Sequence, residues 1–77
     1  MLVAILEDKN TSSYHILGSL YRNDIDKLID KINDLYKLSL HEDLTYNGDD
    51  DYYVYHNLKG EKQIDLVITN VRQWHFN

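Results

Sequence analysis

Between residues 23 and 38 the chain reads NDIDKLIDKINDLYKL, in which Ile25, Leu28, Ile29, Ile32, Leu35 and Tyr36 recur at helical spacing. This is the one strong helix signal in the chain. A single amphipathic helix can cover one face of a small sheet and no more, so a two-layer α+β arrangement is the architecture this stripe allows. Its ends are also marked. Asn23 is the expected N-cap, Asp24 and Asp26 lie in the first turn where the helix dipole favours anions, and Lys37 lies in the last turn where it favours cations. On the outer side Asp24, Lys27 and Asp30, and again Lys31, Asp34 and Lys37, alternate at i+3 steps as a solvated charged face would. Asp26, Asp30 and Asp34 form a column of like charge, whose functional alternative is an acidic ridge.

The remaining segments are β-prone. LVAILE at residues 2–7 and SYHILGSLY at residues 13–21 flank the turn-forming DKNTS and predict an antiparallel hairpin. After the helix, DYYVYHNL predicts a third strand, KGE a turn, and QIDLVITNVRQWHF a fourth strand with a bulge or bend near Asn70. The expected order is ββαββ: a small antiparallel sheet of about four strands with the helix on one face, all within one domain over residues 1–77. A chain this short buries only about 60% of its unfolded surface and does not divide into two cores.

Strand periodicity raises the question of what the other sheet face does. If Leu2, Ala4 and Leu6 face the helix, then Val3 and Ile5 point away; Ile64, Leu66 and Ile68 form one set of the last strand, Val67 and Val71 the other. In the third strand Tyr52 and Val54 are expected inward and Tyr53 and Tyr55 outward. Large apolar or aromatic side chains on both faces imply that something covers the second one. A homodimer built on Val3, Ile5, Val67 and Val71 is one expectation, and a partner protein is the other.

The net charge is −5, from 13 acids and 8 bases, which disfavours direct binding to nucleic-acid phosphate or to an anionic membrane. The excess is local. Residues 41–51 carry Glu42, Asp43, Asp49, Asp50 and Asp51 with no Lys or Arg, leaving 8 acids and 8 bases in the other 66 residues. There is no cysteine, so no disulfide or Cys-based zinc site can staple the fold, and a reducing, cytoplasmic home is expected. The opening MLVAIL is apolar for six residues and then meets Glu7, Asp8 and Lys9, which fits neither a signal peptide nor a membrane span.

No constellation of catalytic residues is present in the sequence. His15, His41, His56 and His75 are too dispersed for a metal-ligand motif. Ser13 and His15 would share one face of a strand, yet no nucleophile elbow surrounds them. Gly18, Gly48 and Gly60 are isolated, so no phosphate-cradling loop is expected; Asn47 and Gly48 signal a turn. Three consecutive aspartates on an extended chain cannot converge on one ion, and residues 49–51 do not fit a calcium loop. Neither cofactor nor metal is expected, and the chain reads as a non-enzyme.

What remains is a binding surface. Tyr46, Tyr53, Tyr55 and Trp74 accompany Glu42, Asp43, Asp49, Asp50 and Asp51, and tyrosines among aspartates suit a protein target better than a nucleic acid. Acidic side chains around such a patch steer it toward a partner with a basic surface. The expected function is therefore a small inhibitor or modulator that blocks the basic nucleic-acid-binding surface of a host protein. In general character the chain resembles the small acidic proteins that phages and mobile elements direct against host defences, anti-CRISPR proteins among them. The contrasting expectation is a homodimeric structural or assembly protein.

Overall fold

The structure is a computed structural model and describes residues 1–46 and 51–70. In chain order it contains β1 (Leu2–Asp8), β2 (Ser13–Leu20), a 3-10 turn (Arg22–Asp24), α1 (Ile25–Tyr36), β3 (Leu40–Glu42), β4 (Tyr53–Asn57) and β5 (Ile64–Asn70). The strands form one sheet in the order β2-β1-β5-β4-β3, with every neighbouring pair antiparallel. The class is thus the expected α+β, with five strands in place of four. The added strand is β3, three residues at the start of the acidic segment.

Both expected hairpins form, and the seam between them is the β1–β5 ladder, which runs from Leu2 opposite Asn70 to Asp8 opposite Ile64. The segment from β2 to β3 carries the chain from one edge of the sheet to the other, with α1 packing over one face on the way. Leu2, Ala4 and Leu6 of β1, Leu66 and Ile68 of β5, and Tyr55 of β4 meet Ile25 and Ile32 of the helix in one cluster, joined by Leu38 and Leu40. Leu66 and Ile68 are wholly buried, as the middle strand of a covered sheet requires. Burying such a side chain contributes roughly 1.5–3 kcal/mol.

The tyrosine register is opposite to expectation. Tyr53 pairs with Ile68 and Tyr55 with Leu66, so both tyrosines stand on the helix face, and Tyr55 is part of the core. Val54, opposite Val67, stands on the second face. When both faces of a strand are apolar its own alternation cannot fix the register, and the cross-strand partners decide it.

The second face is also less open than expected. Val3, Ile5 and Val54 are buried and Val67 is half-buried within the single chain; Val71 lies outside the described residues. Polar residues share this face, with Asp65 and Thr69 buried among them.

The helix ends differ from the sequence reading as well. Asn23 falls within the 3-10 turn, Asp24 precedes the helix, and no side chain caps it. Lys37 ends the helix in the left-handed region (φ 56°), with its N–H donating to the Asn33 carbonyl. The apolar stripe stops short: Leu35 and Tyr36 are exposed. Asn33 then secures the exit, its side-chain oxygen accepting from the Leu40 N–H at 2.9 Å.

Candidate functional site

The Arg22–Asp24 turn, the start of α1 and the strands β3 and β4 come together at one edge of the sheet. An open groove of about 530 Å³ lies there, lined by Arg22, Asn23, Ile25, Asp26, Glu42, Tyr53 and Tyr55. Its floor is aromatic because β4 turns Tyr53 and Tyr55 to the helix face; its rim carries Asp26 and Glu42. Arg22 is the one base of the lining, and it forms an ion pair with Asp51. The Tyr55 hydroxyl is pushed up to about 12, first by burial and then by the negative charges of Glu42 and Asp26. With Arg22 paired to Asp51, the carboxylates of Asp26 and Glu42 give the lining its negative charge.

Asp51 adopts a left-handed backbone (φ 56°), which aspartate tolerates better than most residues. It directs the carboxylate back to Arg22, 29 positions away in sequence. Among the described acids of residues 41–51, Asp51 is thus engaged within the chain, and Asp43 is engaged too.

Asp43 belongs to a network on the opposite sheet face. His56 of β4 uses both ring nitrogens, Nδ1 at 2.9 Å from Asp65 Oδ1 and Nε2 at 2.8 Å from Asp43 Oδ2, while Lys9 Nζ is 2.8 Å from Asp65 Oδ2. The hydrogen bonds to Asp65 and Asp43 raise the His56 pKa above 6.5. The His56 bond and those from Thr45 lower Asp43 to about 2. Hydrogen bonding to Asp65 likewise raises Lys9. The arrangement holds an imidazolium between two carboxylates. It is not a metal site: the carboxylates lie at opposite ends of the ring, and both ring nitrogens are occupied. Among the described residues no three His, Asp or Glu side chains are grouped to hold an ion.

Other expected site residues disperse. Tyr46 packs edge-on against Tyr52, with ring centroids 5.1 Å apart. Asp49, Asp50 and Trp74 lie outside the described residues, as does the turn expected at Asn47 and Gly48. Ser13 of β2 pairs its hydroxyl with Thr11 at 2.6 Å, and Ser39 Oγ lies 3.0 Å from His41 Nε2 in an exposed pair. Of the candidate partner-binding residues, then, Glu42, Asp51, Tyr53 and Tyr55 come together. Arg22, Asn23, Ile25 and Asp26 complete the groove; Asp26 belonged to the expected acidic column, Asn23 and Ile25 to the helix start, and Arg22 had no sequence signal.

Among the described residues no helix is long and apolar enough to cross a membrane. Compared with protein-family models, curated proteins and solved structures, the chain matches none of them.

Proposed function

We propose that this protein is a small non-enzymatic inhibitor or modulator of the anti-defence type, which docks its acidic sheet edge on the basic, nucleic-acid-binding surface of a host protein. The observation that carries this reading is the groove: aromatic floor, Asp26 and Glu42 on the rim, and Asp51 paired with Arg22 of the lining. Tyrosine gives contact area at low entropic cost, and the carboxylates give attraction at a distance. A guanidinium or ammonium group entering the groove would meet Glu42 and Asp26 over an apolar base. Asp43 acts differently, since His56 already occupies it.

The test uses the full chain as bait in a lysate of its host, alongside a variant carrying Asp26→Asn and Glu42→Gln. The expected result is retention of a nucleic-acid-binding protein, displacement of labelled DNA or RNA from it, and slower association for the variant at low salt that converges with the wild type at high salt. Equal association rates for the two baits, or nucleic acid that stays bound to the captured protein, would overturn the proposal. Replacing Asp49, Asp50 and Asp51 together by Asn extends the test. Stability should change by no more than about 1 kcal/mol, because the Arg22–Asp51 pair is solvent-exposed and Asn accepts the left-handed backbone.

A further inference from the structure

The strand β2 forms the other edge of the sheet, and it is exposed along almost its whole length. Only Leu20, at its end, packs on the core. Tyr14 and Ile16 are 60% and 55% exposed, and Leu17 beside them is 38% exposed. An uncovered strand edge is a row of backbone donors and acceptors ready to pair with another strand. Soluble proteins usually guard such an edge with lysine, proline or extreme shortness. Those three guards are absent, since Ser13–Leu20 is eight residues long with neither proline nor a charged side chain of fixed sign, and a bulge is the one protective device it carries. One irregularity interrupts it. Between Ala4 and Ile5 the register shifts, so that Ile16 and Leu17 together oppose Ile5, and Gly18 sits at φ +129°. Residues 13–16 lie on its N-terminal side and keep a regular ladder with Ile5 to Asp8.

We infer that β2 pairs with β2 of a second copy of this chain, antiparallel through residues 14–16, to make one continuous ten-stranded sheet. Charge selects this occupant. A strand without charged residues meets no like charge when it pairs with itself, whereas the rest of the molecule is acidic and repels its copies. The acidic edge is four strand spacings away at β3. In the dimer the two β3 edges would be nine spacings apart, about 43 Å at the usual 4.8 Å per strand, several times the screening length of about 8 Å. No other edge-to-edge pairing separates the acidic segments as far.

A two-fold axis requires one residue to stand opposite itself, and placing it at His15 pairs the exposed apolar residues with each other. With the axis normal to the sheet, His15 of one copy then stands opposite His15 of the other, and Tyr14 opposite Ile16. Tyr14 and Ile16 share the sheet face of Ile5 and Glu7, since Ile16 pairs with Ile5 and Tyr14 with Glu7 in the β1–β2 ladder. Two aromatic to β-branched pairs then cover the most exposed apolar side chains of the strand. This interface differs from one on the sheet face at Val3 and Ile5, and it stands independently of the proposed target.

Light scattering and cysteine cross-linking test it together, because the chain contains no cysteine of its own. Wild type should be dimeric at micromolar to millimolar concentration, and Ile16→Lys should be monomeric with unchanged circular dichroism. Under mild oxidation His15→Cys should form a disulfide dimer, since directly opposed strand residues have Cα atoms about 4.5–5.5 Å apart, within the range a disulfide spans. Leu58→Cys, exposed but remote, should cross-link only at the collisional rate. The inference is overturned by a monomeric wild type, by a dimer that persists in a folded Ile16→Lys variant, or by His15→Cys cross-linking no faster than Leu58→Cys. Should Ile16→Lys fail to fold, the ratio of the two cysteine variants decides alone.

Discussion

The two edges of the sheet are built on opposite rules. β3 has three residues, Leu40–Glu42, and its ends are fastened: the Leu40 N–H is held by Asn33 and the Asp43 carboxylate by His56. β2 has eight residues with hardly any packing over them. The charged edge is thus rigidly tied into the fold, and the uncharged edge is left with its pairing capacity unspent. Under the two proposals, charge-steered recognition and self-association would lie on separate strands.

The largest expected effect comes from breaking the fastened edge. Leu40 is buried in the core cluster, and Leu40→Ala should destabilise by about 2–5 kcal/mol through loss of packing and a residual cavity. The matching truncation on the open edge, Ile16→Ala, should change monomer stability by no more than about 0.5 kcal/mol. Denaturant unfolding at low protein concentration measures both. Similar losses at the two positions would remove the contrast.

Asn57 comes next. Its side-chain oxygen accepts from the N–H groups of Ser39 and Lys59, and its amide donates to the carbonyls of Lys59 and Lys62, so that one side chain binds the helix exit to the β4–β5 turn. Asn57→Ala should cost about 1–3 kcal/mol. It should also speed amide exchange at Leu58, which donates to Ser39 across the same junction, while leaving the β1–β2 hairpin unchanged.

The smallest effect separates the edges by pH. Because its folded-state pKa is raised, the stability that His56 contributes is fully present below 6.5 and is lost as pH rises through the elevated value. Asp43 works in the opposite sense: its contribution is present above 3.8 and disappears as pH falls toward about 2. The difference in melting temperature between wild type and His56→Gln should accordingly be widest near pH 5–6 and narrow on the alkaline side. A gap that stays constant from pH 5 to 9 would mean that the imidazolium does not hold the β3 edge.

The sequence made some of these features legible and concealed others. The helix stripe and the two hairpins stood out because each is a local pattern: Ile25 to Ile32 at helical spacing, and turn formers at DKNTS and KGE. β3 did not, because Leu-His-Glu is too short to show any period. Its pairing with β4 depends on Asn33 and Asn57, which are distant in the chain. The tyrosine faces were misread for a related reason: Tyr53 and Tyr55 differ little from Tyr52 and Val54 in hydrophobicity, and only Ile68 and Leu66 across the ladder decide between them. Within the groove, Glu42 and the tyrosines could be anticipated from the acidic-aromatic composition. Arg22 and Asn23 could not, and Asp26 showed only as part of an acidic column, since the helix crossing brings them to that edge.

The β1–β5 seam has a consequence for how the chain reaches this state. β1–β2 and β4–β5 close over short turns, whereas pairing Leu2 with Asn70 brings together residues from the first and last strands. Hairpins form in about 1–10 μs, while the cost of closing a longer loop must be met before its contacts reward it. Folding should therefore proceed by early local hairpins and a later search for the seam, and the rate of that search should respond to substitutions at Ala4, Leu66 and Ile68 far more than to any change in the acidic segment.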